Sequence, residues 1–271
     1  MQFFPNGLSA LGGDQLVTCE PLQTSGRVLW CNSTTGIDTN TGLNRESPLL
    51  TLTRADAISL AGDIIVLMDG FSEVMTAVIA PKAGVTIVGE GTSGGRPTCS
   101  LTNNQAAGGL LLPSAGTEIR NVWFKPNLQV NLASRISVVA VNVRICNCYF
   151  ECGPNDRAAA IVYAGACNYA VISNTTFVST ATVMASFPYT AVQVAAACTD
   201  FTMDDVTFDD GLYGFTLDYA FQAPVVMTYL RGLGISLLNG ASMFVSRIVG
   251  QDESSGWLNI KTRTGGGRVD W

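Results

Sequence analysis

The chain has 271 residues, of which 13% are charged and 47% are hydrophobic, and its formal net charge at pH 7 is -6. Such an acidic chain offers no basic stripe for phosphate groups, so we expect no nucleic-acid partner. The polar surface has to be built largely from small uncharged side chains, which is typical of β-rich extracellular or virion proteins. Because no Pro/Ser-rich linker divides the chain, we expect a single large domain.

The first residues, MQFFPNGLSALGG, form an uncharged segment that we interpret as the start of an N-terminal arm spanning residues 1–27. They lack the charged start of a secretory signal, and no apolar run of the chain approaches the ~18 residues of a membrane span. We therefore expect folding in the cytoplasm and no membrane partner. The arm is either a frayed tail or a docking arm, with Phe3 and Phe4 entering pockets on a neighbouring protein.

Residues 28–62 form the next unit, a cap region with one short helix. Ser47 and Pro48 can start a helix as N-cap and first-turn residues, and Gly62 is placed to stop it. The apolar side chains of that segment recur at helical spacing, so we predict an amphipathic helix over 48–61 that plugs the end of a tube; they are Leu52, Ala55, Ile58 and Leu60. The run DIIVLM, residues 63–68, is then predicted as the first core strand.

A short motif recurs along residues 63–260, with similar stretches such as IRNVWF, ICNCYF, ISNTTF and MDDVTF. Each contains one Gly, Asn or Asp at a shared register, with separations of 26 to 32 residues: Gly89, Asn121, Asn147, Asn174, Asp205, Gly232 and Asn259. These residue types tolerate a left-handed backbone, so the register predicts a turn between two short strands.

The position two residues before this turn register is apolar in every repeat, and the position three residues after it is phenylalanine in the four central repeats. Two residues before it stand residues such as Ile119 and Ile145, and three residues after it stand Phe124, Phe150, Phe177 and Phe208. If each repeat lies directly above the last, the four phenylalanines stack into an aromatic ladder inside a tube. A period near 27 residues with two or three strands and no helix per repeat predicts an all-β fold, a right-handed parallel β-helix of about seven coils with an N-terminal capping helix. A propeller is the weaker alternative, since its blades need about 40 residues or more.

The eight cysteines are predicted to be free thiols, because the chain is large and carries no visible export signal. Cys146, Cys148 and Cys152 form a cluster, but neither a second cluster nor a histidine is present to complete a four-ligand zinc site. We therefore predict no metal and no cofactor, and we interpret these thiols as small apolar groups in the core.

The last segment, residues 261–271, contains a glycine run and ends in Trp271. We interpret it as a C-terminal tail. Like the N-terminal arm, it is either frayed or a docking element, with Trp271 as the side chain that would bind a neighbour.

The segment from Gly36 to Pro97 carries a family resemblance. Its runs GIDTNTGLNRESPLLTL, AGDIIVLMDGFSE and AGVTIVGEGTSGGRPT resemble the opening module of pectin-lyase-like right-handed β-helix proteins, especially those of tailed bacteriophages. The later I-x-N-x-x-F stretches extend the likeness over residues 28 to 260. The resemblance implies a right-handed β-helix, often a homotrimer, mounted on a virus particle. It specifies function poorly, because this fold hosts lyases, hydrolases, adhesins and inert virion parts.

Enzymes on this fold use carboxylates on an outer face, and the candidates here are Asp204, Asp209 and Asp210. Asp205 occupies the turn register, and Asp209 and Asp210 precede Gly211, a usual turn composition. We therefore favour turn and surface roles for these aspartates over catalysis.

Trp123 and Tyr149 are predicted to lie one above the other on the outside of the tube. Stacked external aromatic rings can bind sugars or form an oligomer seam, and for a chain so poor in charge we favour the seam.

Two functions from different classes remain. We favour a non-enzymatic virion structural protein, most simply a capsid decoration protein or head spike, assembled in the host cytoplasm. Its expected partners are further copies of itself, as a homotrimer, and the major capsid protein or another virion protein. The alternative is a tail-associated spike that binds or cleaves a host surface polysaccharide, with a surface glycan as its partner.

Overall fold

The computed structural model of the protein describes residues 26–104, 109–126, 134–153, 159–165 and 168–179, and beyond them the strands between Tyr189 and Arg263. This part of the chain contains one helix, α1 (Leu52–Ile58), and short strands almost throughout. The strands are β1 (Val28–Cys31), β2 (Ile64–Leu67), β3 (Ser72–Met75), β4 (Thr86–Gly89), β5 (Thr92–Ser93), β6 (Arg96–Pro97), β7 (Ser100–Asn103), β8 (Leu110–Leu112), β9 (Glu118–Arg120), β10 (Trp123–Lys125), β11 (Ile136–Val138), β12 (Arg144–Cys146), β13 (Tyr149–Cys152), β14 (Ile161–Tyr163), β15 (Val171–Ser179), β16 (Tyr189–Val194), β17 (Phe201–Asp209), β18 (Phe215–Tyr219), β19 (Val225–Met227), β20 (Leu230–Gly232), β21 (Ser236–Leu238), β22 (Met243–Val245), β23 (Ile248–Val249) and β24 (Lys261–Arg263).

The strands stack in parallel into three ladders, so the fold is an all-β parallel β-solenoid. The first ladder runs β1, β2, β4, β9, β12, β15, β17, β19 and β22. The second runs β3, β7, β10, β13, the later halves of β15 and β17, then β20 and β23. The third runs from β8 through β11, β14, β16, β18 and β21 to β24. An antiparallel hairpin, β5–β6, leaves this pattern.

The register of the first ladder follows the apolar column of the sequence. Ile87 pairs with Ile119, which pairs with Ile145, and Ile172 and then Met203 continue the column. The four isoleucines are buried in the main core. The spacing of the sequence repeat therefore corresponds to one coil in this part of the chain.

The predicted register after Met203 is wrong. The repeat predicts Leu230, two residues before Gly232, as the next residue of the column after Met203. Met203 pairs instead with Met227, and Gly232 pairs with Phe208 instead of continuing the turn register. The cause is a shortening of the coils, to 24 residues from Thr202 to Val226 and 18 from Val226 to Phe244. A constant period cannot follow such a change. Asn259 lies outside the described residues.

The predicted number of seven coils and the predicted start of the tube are also wrong. The tube begins at β1, which pairs with β2 from Val28↔Ile64 onward, so residues 63–68 are not the first core strand. Because β1 adds a strand at the start and the late coils are shorter, the first ladder has nine strands among the described residues, where seven coils would give seven. Lys261–Arg263 forms β24 on the third ladder, within the segment that we interpreted as a tail.

The capping helix is shorter than predicted and begins later. Its N-cap is Thr51, whose hydroxyl accepts the backbone N–H of Arg54 at 3.0 Å, instead of Ser47. The preceding residues cannot be helical, because Leu49 donates its N–H to the Trp30 carbonyl and pairs with β1 as an extended segment. The helix ends before Ser59, and Leu60 is 58% exposed instead of lying on the apolar face.

The core of the second ladder is an aromatic stack. The ring centroids of Phe124 and Phe150 lie 4.6 Å apart, and those of Phe150 and Phe177 lie 4.9 Å apart, with nearly parallel planes. Phe208 is the register partner of Phe177, and Leu101 precedes Phe124 in the same column. At the N-terminal end of the column stands Glu73, a carboxylate in place of an apolar side chain.

The turn register is occupied by left-handed asparagines in three successive coils. Asn121, Asn147 and Asn174 have φ values of 53°, 53° and 44°. Their side chains link coils, since the Asn174 amide donates to Asn147 Oδ1 at 2.7 Å and the Asn121 amide donates to the Gly89 carbonyl at 2.7 Å.

Gly89 does not have the predicted left-handed backbone; Gly91 takes it, with φ 79°. Glycine is needed at position 89 for close approach instead, because a Cβ there would lie 2.2 Å from the Asn121 carbonyl oxygen.

Candidate functional site on the outer face

Of the aspartates weighed for catalysis and their neighbour Asp205, three lie on β17: Asp204, Asp205 and Asp209. Asp204 pairs with Ser173 and Asp209 pairs with Val178 in the ladder, while Asp205 falls between the paired positions on either side of it. Asp210 lies outside the described residues, as do Phe3, Phe4 and Trp271.

Two carboxylates, one from the cap region and one from β3, bind the backbone at the start of α1. Asp38 accepts the backbone N–H groups of Leu50 and Thr51 at 2.9 and 3.0 Å. Glu73 accepts the N–H of Leu52 at 2.5 Å and the Thr53 hydroxyl at 2.8 Å, which places its charge at the first turn of α1. Glu73 thereby satisfies an N–H group that the helix leaves without an intrahelical partner, and Asp38 binds the backbone of the N-cap and of the residue before it.

Three further carboxylates are paired with arginines. Asp63 bonds Arg27 at 2.7 Å, Glu90 bonds Arg45 at 2.8 Å, and Glu118 bonds Arg120 at 2.6 Å. The first two pairs connect segments that are more than 30 residues apart in the chain. The Arg27–Asp63 pair joins the segments that lead into β1 and β2, and the Arg45–Glu90 pair fastens the cap region to the coils.

Burial and hydrogen bonding shift the pKa values of several acids in this region. Burial raises the pKa of Glu73, although bonds from Thr53 and Leu52 oppose the shift. Burial also raises the pKa of Asp56, against a backbone bond from Ala80 and the charge of Lys82. For Asp63, burial alone would raise the pKa, but bonds from Arg27 and Leu60 hold it below its usual value.

The thiols have the chemistry of buried apolar groups. Cys31, Cys99, Cys146, Cys148 and Cys152 are buried thiols. Burial raises the pKa of Cys99 to about 11, and it raises the pKa of Cys31 further. Because the thiolate is the nucleophile, both residues are protonated and unreactive at neutral pH.

A different group of side chains stands on the outside of the second ladder, where β10 and β13 run side by side. Trp123 and Tyr149 are register partners on adjacent strands and are partly exposed, whereas the next residues, Phe124 and Phe150, point into the core. The predicted vertical pair of outer aromatic residues is therefore present. The alternation of the strand places one ring of each coil outside and one inside.

Charged side chains surround this pair. The guanidinium carbon of Arg96 lies 3.8 Å from the Trp123 ring centroid and 5.6 Å from that of Tyr149. The Lys125 ammonium lies 4.5 Å from the Trp123 centroid, and Glu151 Oε2 accepts the indole N–H at 3.0 Å. We call Arg96, Trp123, Lys125, Tyr149 and Glu151 the outer strip.

The hairpin β5–β6 brings Arg96 to the outer strip. Its turn residues Gly94 and Gly95 have φ values of 62° and 79°, a conformation that glycine adopts without the Cβ penalty of other residues. Sequence reasoning missed Arg96, because no repeat relates the hairpin to β10. It also missed Lys125 and Glu151, although strand alternation puts both on the same face as the aromatic residue two positions earlier.

The outer strip is a preorganised surface and does not have the form of a catalytic pocket. Cation–π contacts and the indole hydrogen bond fix the Trp123 ring from several sides. Within the described ranges, no cluster of three His, Cys, Asp or Glu side chains is arranged to hold a metal ion. The same part of the chain contains no helix with the length and apolarity to span a membrane.

Comparisons with known proteins add little to this description. No family model and no curated protein matches the sequence. Among solved structures, the chain is similar to a rhamnogalacturonan lyase, with a TM-score of 0.48 and 10% identity over 91% of this chain and 90% of that chain. A likeness at this level says nothing about activity.

Proposed function

We propose that the protein is a non-enzymatic structural component of a bacteriophage virion, a rigid rod that decorates the capsid or forms a head spike. Its partners in this proposal are further copies of itself, as a homotrimer, and the major capsid protein or another virion protein. The sequence resemblance of residues 28–260 to phage β-helix proteins supports this placement. The parallel β-solenoid fold is also consistent with it. A right-handed winding of the coils is part of the proposal.

The observation that carries the proposal is the use of the carboxylates in and next to the cap region, at the N-terminal end of the tube. Asp38 and Glu73 bind backbone N–H groups around α1, and Asp63 and Glu90 bind arginines of distant segments. Glycosidic cleavage needs a pair of carboxyl groups that flank the bond to be broken. Carboxylates that are committed to fastening segments stabilise a rod instead.

Cryo-electron microscopy of purified particles from the source tests the proposal. We expect ordered density for this chain in symmetric clusters on the head lattice, which would also show the end by which the rod is attached. Density at the tail tip alone would overturn the head placement, and absence of the chain from particles would overturn the virion role.

The alternative function is a tail-associated spike that binds or cleaves a host surface polysaccharide. The observation that favours it is the outer strip, since aromatic rings with neighbouring charged groups can bind sugar rings. Replacing Asp204, Asp209 and Asp210 with Asn tests cleavage. Glycan-degrading activity that the parent protein has and this triple variant lacks would establish the alternative and exclude the non-enzymatic role.

A further inference from the structure

We propose that the N-terminal arm folds back along the rod of its own chain and, with its residues 14–25, covers the outer face of the first ladder. This face presents five outward side chains, and we call them the covered face: Ile64, Val66, Val88, Arg120 and Cys146. The inference does not depend on the proposed function.

The covered face is buried although its side chains point out of the tube. Residues next to them on the same strands, such as Ile65 and Ile119, lie in the main core, so alternation turns the covered face outward. Each of its five residues is nevertheless at most 3% exposed. The outward residues of β8, β11 and β14 on the third ladder, by contrast, are partly exposed. A second layer therefore lies over the first ladder.

Neighbours in the same sheet cannot provide that layer. Ile64, Val66 and Val88 form an apolar cluster separate from the main core, and the described apolar side chains packed against it, Val28 and Trp30, belong to the adjacent strand β1. A strand that is buried on both faces, as β2 is, needs an element on each side. Because these residues are buried within a single chain, the covering layer belongs to that chain and not to a partner.

The described segments near this face cover only one end of it. Arg45 of the cap region bonds Glu90, which follows β4, at 2.8 Å. β9 and β12 lie one and two coils farther along the ladder. The corners that lead into them have five residues each, 113–117 and 139–143, and hydrogen-bond each other at the edge of the ladder. Another segment has to cover Arg120 and Cys146.

The N-terminal arm has the position and the length for this role. Arg27, at the end of the arm, donates its backbone N–H to Asp63 at 2.8 Å, so the arm leaves the rod beside β1 and β2. Four strand steps separate β1 from β12, which is ~19 Å at ~4.8 Å per step. An extended chain advances ~3.3 Å per residue, so residues 14–25 can span up to ~40 Å.

The residues at the other end of the chain are too few to reach this face. Residues 264–271 follow β24, which lies six steps along the third ladder from β8, the strand in the same coil as β4. Six steps correspond to ~29 Å, whereas eight extended residues reach ~26 Å. The position of the arm therefore favours it over the C-terminal tail.

The composition of the arm fits an apolar face. Residues 14–25 read DQLVTCEPLQTS and contain Leu16, Val17 and Leu22. Packing these side chains on the apolar cluster at β2 and β4 removes both surfaces from water, which is the main driving force for such a contact.

Charge favours the same occupant. The outward side chains of β9 and β12 include two cations, Arg120 and Arg144, and one carboxylate, Glu118, which bonds Arg120 at 2.6 Å. The charged side chains of residues 14–25 are Asp14 and Glu20, both acidic. An acidic segment is complementary to a face with an excess cation.

Alkylation of the full chain by iodoacetamide, with each labelled cysteine identified by mass spectrometry, tests the inference. Cys146 on the covered face is the reporter, and Cys148, which lies in the main core, reports unfolding of the coils. Leu16→Asp combined with Leu22→Asp places charges at apolar positions of the arm and should release it. We expect Cys146 to react about tenfold or more faster than in the parent, with Cys148 unchanged.

Gln15→Asp combined with Gln23→Asp is the matched control, because it adds the same two charges at neighbouring polar positions of the arm. We expect Cys146 to react in this variant as it does in the parent. Rapid alkylation of Cys146 in the parent would overturn the inference, and so would slow alkylation of Cys146 in the variant with both leucines replaced. Faster alkylation of Cys146 and Cys148 together would mean that the coils unfold.

Photo-cross-linking decides the question even in that case, because it needs no added charge. Leu16→p-benzoylphenylalanine in the full chain bonds, on irradiation, to the C–H groups that it contacts. We expect cross-linked peptides within one chain that contain residues of β2, β4 or β9. Cross-links between two copies would make a second copy the occupant, and cross-links without preference for the first ladder would make the arm a frayed tail. Either result would overturn the inference.

Discussion

Side chains along each strand alternate between the inside and the outside of the tube, and the inward side chains stabilise it by packing against the same position of the adjacent coils. Phe150 is stacked on both sides, by Phe124 and by Phe177, and none of the three rings has measurable exposure. A residue in such a column contributes burial and packing to three coils at once. The central ring should therefore be the most sensitive position of the stack.

We predict that Phe150→Ala lowers the free energy of unfolding by ~3 to 5 kcal/mol, because it removes a buried ring and leaves a cavity between two others. Urea denaturation measures the change. Ile37→Ala is the control, since Ile37 is 56% exposed and should change stability by less than ~0.5 kcal/mol. Equal midpoints for the two variants would contradict the stacked core.

The element on which most of the cap depends is α1, a helix of seven residues. A helix so short has little stability of its own and depends on packing and capping. Leu52 and Ala55 supply the packing, Thr51 and Glu73 bind N–H groups of its first turn, and Asp38 binds the N–H of the N-cap. Its weak point is Asp56, whose Oδ1 is buried without a hydrogen-bond partner.

Asp56 gives this element a defined pH dependence. Because burial raises its pKa in the folded state, the folded protein binds the proton more tightly than the unfolded chain does. Protonated Asp56 therefore causes no penalty at low pH, and stability is lost as the pH rises through the raised pKa. The Lys82 ammonium, which bonds the Asp56 carbonyl, reduces this penalty without removing it.

We predict that Asp56→Asn raises the melting temperature at pH 7, since Asn keeps an acceptor for the Ala80 N–H and carries no charge. The gain should shrink as the pH falls through the raised pKa towards the ordinary value of 3.8. Thermal melts of both proteins across this range measure it. A gain that is independent of pH would show that ionisation of Asp56 is not the cause.

The whole molecule is a stack of parallel coils, and its ends need protection. An open strand edge can pair with another chain and start aggregation. At the N-terminal end, the Trp30 N–H donates to the Gly42 carbonyl at 2.7 Å and the Trp30 carbonyl accepts from Leu49 at 2.8 Å, so the outer edge of β1 is covered. The loop before α1 and α1 itself close this end of the tube.

We predict that Ala55→Asp opens the cap, because it buries a charge between α1 and the first coils. Light scattering at 37 °C should show aggregation of this variant. Ala57→Asp, at an exposed position of the same helix, should remain soluble. If both variants behave alike, α1 does not protect the end of the rod.

The accuracy of prediction from the sequence depended on how regular the coils are. From Ile87 to Met203 the spacing varies, but the motif is repeated in each coil, so the column could be read from the sequence directly. After Met203 the coils shorten and the motif fades, which misplaced Leu230 and Gly232. The helix start was misplaced because Ser47 and Pro48 satisfy local capping rules, whereas the pairing of Leu49 with β1 is a long-range contact.

The sequence by itself determined that the chain winds into a parallel solenoid, which of its residues share a column, and that Trp123 lies beside Tyr149. These properties follow from local rules, since alternation fixes the face of a strand residue and the repeat fixes its neighbour one coil away. Only the tertiary structure decided the length of the cap, the roles of its carboxylates and the position of Arg96 over the Trp123 ring. Those contacts join segments that the sequence repeat does not relate to each other, and no local sequence pattern encodes a contact of this kind.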